Sequence, residues 1–220
     1  MTTQTVPDAA DSDAFVGRRE RKKRETYLAL HDAALALAEE RGFEHLTVEA
    51  ICEQADVSVR TFFNYFPCKE DAVLGGTDGF AKILDAIRAR PADEAPLEAI
   101  RNSYLEAVRG LGDRAGAIRA RYQLIQQYDV LRTREAGRMA AFEASIAAVL
   151  AERTGLDATR DAYPALVAAV GISVLRASFF RWQDPATKES LPTLVERSFD
   201  AVIAGLPVPP ASKRPRKHTS

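Results

Sequence analysis

Apolar residues recur at three- and four-residue intervals along nearly the whole chain, and no segment alternates apolar with polar residues as a strand would. That regularity restricts the chain to an all-α fold. Between Glu25 and Arg41, the side chains of Tyr27, Leu30, Ala34, Leu37 and Ala38 share one helical face, and Gly42 ends the run. Thr47 is placed to cap a short helix through Ala55, and Ser58 to cap another through Asn64 or Tyr65 that Pro67 stops. The segment "CKEDAVL" opens a fourth helix. Further helices are predicted over 77–90, 97–110, 115–131, 134–154, 160–183 and 188–205. They are punctuated by Pro91, Pro96, Gly112, Gly155, Asp184-Pro185 and Gly205-Leu206-Pro207.

Composition narrows what such a bundle can do. The 220 residues carry a formal net charge of −1, so any pull toward a polyanion must come from local clustering. One cluster exists: "RRERKKR" places Arg18, Arg19, Arg21, Lys22, Lys23 and Arg24 ahead of the first amphipathic run. Two cysteines, Cys52 and Cys68, form neither a disulfide framework nor a metal-ligand spacing, and His31 and His45 have no readable partner. No metal and no cofactor are expected. No apolar run approaches about 18 residues, which predicts no membrane span. The start "MTTQTVPDAADSDAF" lacks an apolar signal core. A cytoplasmic chain is the expectation. The expected organisation is a disordered 1–16, a small helical domain with the basic run over 17–73, a larger helical domain over 74–206 and a loose basic tail over 207–220.

"VSVRTFFNYFPCKED" identifies the DNA-binding part. One long helix and two short ones joined by a tight turn at Asp56-Val57 form a helix-turn-helix, whose second short helix can enter a major groove. On a helical wheel Phe62 and Phe66 face inward near Val57, whereas Val59, Arg60, Phe63 and Asn64 form another face. That face offers a guanidinium fork, an amide and apolar groups able to meet a thymine methyl. Thr61, Tyr65 and Lys69 flank it with phosphate-binding groups, and Asn64 is assigned with them to phosphate. The basic run would lie along phosphates or in a minor groove.

The stretch "ALHDAALALAEERGFEHLTVEAICEQADVSVRTFFNYFPCKEDAV" resembles the DNA-binding domain of the TetR family of bacterial transcriptional regulators. The match rests on Ala33-Ala34, Gly42-Phe43, Thr47-Val48, Ile51, Ala55, Val57-Ser58, Thr61, Phe66 and Lys69-Glu70. It implies a homodimer that binds a double-stranded operator, an all-helical C-terminal domain for ligand and dimerisation, and repression relieved by a small molecule. By position it implies base reading by Val59, Arg60 and Phe63, with Glu49 near the groove. It implies phosphate contacts from Thr47, Ser58, Thr61, Tyr65 and Lys69. The sequence departs from the pattern at Asp56, where glycine is common, at Phe63 for tyrosine and at Cys68 for serine. A thiol is a poor cap, and at a helix start its pKa could be lowered.

In the second half, the nearly all-round apolar helix over 160–183 suits a dimer bundle. Tyr104, Arg121, Tyr122, Phe142 and Phe179 are the expected lining of a ligand pocket. "RYQLIQQYDVLRTR", "FEASIAAVLAERTGLD" and "RWQDP" are loosely similar to the ligand domain of mycofactocin-associated actinobacterial regulators, which implies an acyl-type effector. "LGGTDG" is read as a hinge, in which replacing Gly75 and Gly76 by alanine would extend helix. Two alternatives stay open: a ligand-independent DNA-binding dimer, and an enzyme on a helical bundle. The second lacks a phosphate loop, a Glu-x-x-His pair and a nucleophile elbow, so a non-enzyme is expected.

Overall fold

The computed structural model describes residues 9–76, 78–110 and 114–207, with side chains from Gly17 onward except at 18, 20 and 78. Among these residues every regular element is helical. The expected tail beyond Pro207 lies outside the described residues, as do residues 1–8. The chain divides into two compact units, residues 1–81 with 112–141, and residues 82–111 with 142–220.

The first unit opens with α1 (Ala9–Arg41). This helix begins well before the expected Glu25 and carries the basic run on its own turns, so the backbone expected to be disordered over 1–16 is helical from Ala9. Gly42 ends it at φ 82, a conformation that costs a Cβ-bearing residue about 1–2 kcal/mol. A short 3₁₀ turn, Phe43–His45, leads to α2 (Val48–Gln54). Thr47 caps α2 by accepting the Ala50 N–H at 3.2 Å. Asp56 turns the chain at φ 53, tolerated by Asp better than by most residues. Ser58 then caps α3 (Val59–Phe63), accepting the Thr61 N–H at 3.1 Å. Cys68 provides no side-chain cap to α4 (Lys69–Leu74), as expected of a thiol.

Leu30, Ala34 and Leu37 of α1 form this unit's core with Ile51, Phe62, Phe66 and the buried stretch Ala72 to Leu74. Full burial of a ring such as Phe62 or Phe66 is worth about 1.5–3 kcal/mol. Leu124 and Ile125 of α7 (Ala115–Gln127) and Leu131 of α8 (Asp129–Thr154) join the same core. The compact unit therefore reaches across the expected boundary at 73/74. The predicted helices over 115–131 and 134–154 also need correcting, because the break falls at Tyr128 (φ −117, ψ 119). No glycine or proline marks that break. A tertiary contact sits at it: the Tyr128 hydroxyl accepts the Phe43 N–H at 3.2 Å, and the two rings pack 5.3 Å apart.

In the second unit, α6 (Pro96–Arg109), α9 (Ala162–Gln183) and α10 (Leu191–Ile203) pack together, with α5 (Asp78–Ala89) entering from the first unit. Gly171 permits close approach of α9 to α6, since a Cβ there would lie 3.1 Å from two carbons of Ile100. Arg153 satisfies the end of α5 by donating to the carbonyls of Ile87, Arg90 and Pro91. By length and composition α9 is apolar enough to cross a membrane, which corrects the expectation that no such segment exists. Its Val167, Ala168, Leu175 and Trp182 are buried, whereas Leu166 and Phe180 are exposed.

Candidate nucleic-acid interface

The α3 helix divides its residues as its period requires. Phe62 is 0% exposed and Phe66 is buried beside it, with Tyr27 of α1 against Phe66 at 5.1 Å. Phe63 is 55% exposed although its ring meets the edge of Phe62 at 5.4 Å. Val59, Arg60 and Asn64 are exposed with it, so apolar, guanidinium and amide groups share one outward surface. Glu49 of α2 is also exposed, whereas Tyr65 is half-buried against the core.

The hydroxyls are fixed by bonds inside the domain. Those of Ser58 and Thr61 pair at 2.9 Å while Ser58 also accepts the Thr61 N–H, so one O–H of the pair remains to donate outward. Thr47 uses a lone pair on Ala50 and keeps its O–H. Lys69 is committed more deeply. Its ammonium donates to the carbonyls of Phe43 at 3.2 Å and Leu46 at 2.8 Å and stands 4.6 Å over the Phe43 ring. Only one of its three N–H donors is left for a phosphate.

Arg19, Arg21, Lys22, Lys23 and Arg24 are exposed in the first half of α1, and the Arg18 side chain lies outside the described residues. A helix about 10–12 Å across cannot itself enter a minor groove about 6 Å wide, so only the side chains of this run can reach into one. Contact along phosphates stays open to it.

A second set of groups grips α4. The Arg134 guanidinium donates to both carboxylate oxygens of Asp71, at 2.7 and 2.8 Å, and holds that carboxyl below its usual range. Arg121 donates to the Leu74 carbonyl at 2.9 Å and Arg138 to the Gly76 carbonyl at 3.3 Å. The Tyr27 hydroxyl accepts the Gly76 N–H. His31, without a readable partner in the sequence, donates from Nδ1 to the Ala72 carbonyl at 2.7 Å, which fixes its tautomer because a carbonyl only accepts. Burial lowers the His31 pKa. Burial also pushes the Cys68 thiol up to about 11, against the lowered pKa that a helix start suggested. Sequence reasoning missed Tyr128, Arg134, Glu135 and Arg138. In the sequence they look like members of any solvated, charged helix face.

Each compact unit holds some of the expected pocket residues. Tyr104 and Phe142 pack at 6.3 Å in the second unit, and Phe179 stands beside Trp182 at 6.4 Å. Arg121 and Tyr122 belong to the first unit, with the guanidinium 5.4 Å from the ring centre. A surface cleft of about 540 Å³ between Asp32, Leu35, Arg114, Ala117 and Gln123 contains none of the five.

The family described as "Bacterial regulatory proteins, tetR family" matches residues 30–74, and the one described as "MftR C-terminal domain" matches residues 94–207. The HTH-type transcriptional regulator TcmR of Streptomyces glaucescens is 31% identical over 206 residues, covering 90% of this chain and 91% of TcmR. The transcriptional repressor KstR of Rhodococcus jostii is 35% identical over 81 residues, 37% of this chain and 36% of its own. Among solved structures, Thermus thermophilus FadR, a TetR-family repressor in complex with lauroyl-CoA, shares the fold. Its TM-score is 0.53 at 23% identity, over 86% of this chain and 98% of that one. The chain belongs to the TetR family of DNA-binding, helix-turn-helix transcriptional regulators.

Proposed function

We propose that this regulator is a homodimeric repressor, released from its operator by a small hydrophobic or acyl-type effector. The observation that carries the DNA-reading part is the division of α3, with Phe62 and Phe66 inside and Val59, Arg60, Phe63 and Asn64 outside. Arg60 reads a base edge, worth about 1–3 kcal/mol of discrimination, and Val59 and Phe63 meet thymine methyls. Glu49 lies near the groove. Thr47, Ser58, Thr61, Asn64, Tyr65 and the remaining N–H of Lys69 hold phosphates, and the basic turns of α1 add sequence-independent attraction.

Exposed apolar side chains on α9 and α10 support the dimer: Phe180 is 77% exposed, and Leu166 and Ile203 are exposed too. A two-fold dimer reads successive major grooves with its recognition helices about 34–36 Å apart. The match of residues 94–207 to the MftR C-terminal domain and the lauroyl-CoA held by the Thermus relative support an acyl-type effector, with Tyr104, Tyr122, Phe142, Phe179 and Arg121 as candidate lining. The protein would work in the cytoplasm, where its operator is.

Selection of bound duplexes from a genomic library, followed by sedimentation and operator titration with lauroyl-CoA, tests each part. Binding as a monomer would refute the dimer. Operator affinity unchanged by lauroyl-CoA and by free laurate would refute the acyl-type effector and favour the ligand-independent alternative.

A further inference from the structure

Arg121 of α7 and Glu135 and Arg138 of α8 meet inside the first unit. Their side chains are 23%, 9% and 12% exposed. Arg121 lies 3.8 Å from one carboxylate oxygen and Arg138 lies 3.6 Å from the other, both longer than a hydrogen bond. Two guanidinium groups face a single carboxylate, which leaves an excess positive charge in a largely buried place. Nε of Arg121, Nε of Arg138 and Oε2 of Glu135 are buried and have no hydrogen-bond partner among the described residues. Buried polar atoms are normally paired, and an uncompensated buried charge is costly. The backbone bonds of the two arginines go to the Leu74 and Gly76 carbonyls at the end of α4, and Arg121 also bonds the Tyr122 side chain.

We propose that Arg121 and Arg138 bind an anionic group of the effector, a carboxylate or a phosphate, and that this anion takes their N–H donors from the Leu74 and Gly76 carbonyls. The proposal rests on the effector reading above. An anion receives parallel, bidentate bonds from a guanidinium and adds an attraction between full charges that a neutral carbonyl cannot offer. It would also neutralise the charge that Glu135 leaves over. Freed of both guanidinium bonds, the end of α4 is held less firmly to α7 and α8. The effector then favours a conformer other than the operator-bound one, the differential affinity without which no ligand can lower DNA affinity. Glu135 acts as the internal rival of the anion.

Charge signs make the test decisive. Calorimetric titration of the full-length protein, of Arg138→Met and of Glu135→Gln would use lauroyl-CoA, sodium laurate and the uncharged 1-dodecanol as probes. The expected result is at least tenfold weaker binding of the anionic probe to Arg138→Met, severalfold tighter binding to Glu135→Gln, and dodecanol binding unaltered in both. Binding of laurate itself assigns the anion to a carboxylate, and binding of lauroyl-CoA alone assigns it to the phosphates. Anion binding equal in Arg138→Met and parent, or weakened in Glu135→Gln, would overturn the proposal and reduce the cluster to packing. If Arg138→Met does not fold, as a circular dichroism melt would show, the sign of the Glu135→Gln change decides alone. Should the parent bind dodecanol as tightly as the anions, the anion site falls while the hydrophobic effector stands. Should it bind none of the three, both fall.

Discussion

Gly75→Ala should destabilise the protein, although the residue follows a helix that alanine would ordinarily extend. Gly75 closes α4 at φ 74 and ψ 162, outside the region of a continuing helix. A side chain at a left-handed φ costs about 1–2 kcal/mol. A Cβ there would also stand 3.2 Å from Tyr27 Oη and 3.3 Å from His31 Cε1. Neither neighbour is free to move, because the Tyr27 hydroxyl holds the Gly76 N–H and His31 Nδ1 holds the Ala72 carbonyl. With that crowding the expected loss is about 2–3 kcal/mol, a large share of a typical 5–15 kcal/mol. Gly79 is the control. It is the second residue of α5, nothing stands within 4 Å of its Cβ position, and alanine there should stabilise, by less than the about 1 kcal/mol of a helix interior. Urea unfolding followed by circular dichroism reads both midpoints. Equal signs for the two variants would refute the reasoning, since it predicts opposite ones on either side of Thr77. The same geometry corrects the expectation that alanines at Gly75 and Gly76 merely stiffen a helical joint.

Arg60→Ala should erase sequence preference, by about 1–3 kcal/mol between specific and scrambled duplexes, with little change in affinity for the scrambled one; equal losses on both would remove Arg60 from the base-reading set. Lys69→Ala should cost about 1–3 kcal/mol of stability as well as operator affinity, because its ammonium holds two carbonyls of the Phe43–Leu46 turn; an unchanged unfolding midpoint would contradict that role. His31 is held neutral by burial, so the unfolded chain takes up a proton first and stability should fall as pH drops below about 6.5. Replacing His31 by Gln should flatten that segment of the stability–pH curve, and an unaltered slope would exonerate the residue. Deleting residues 18–24 should lower the slope of log affinity against log salt by nearly one unit for each phosphate the arm neutralises; identical slopes would show that the arm touches no DNA.

Much of the DNA-binding region was legible because its determinants are local. Thr47 and Ser58 cap the helices they precede, and Phe62 and Phe66 repeat at the helical period that puts both inside. The break at Tyr128 was not legible, since no glycine or proline marks it. Lys69 looked like a phosphate ligand from its position ahead of a helix, yet its carbonyl partners lie more than twenty residues earlier. The apolar rings expected to line one pocket satisfied the same helical spacing whether they met or not.

By itself, then, the sequence determined the helical class, the helix-turn-helix and which face of α3 looks outward. These depend on interactions between residues up to four positions apart, and periodicity and capping record such interactions directly. The tertiary structure alone decided that Gly75 is left-handed, that Tyr128 meets Phe43 where its helix ends, and that Arg121, Arg134 and Arg138 grip α4. Each of these depends on groups brought together from distant parts of the chain. An arginine satisfied by a distant carbonyl reads the same, in one dimension, as an arginine satisfied by water.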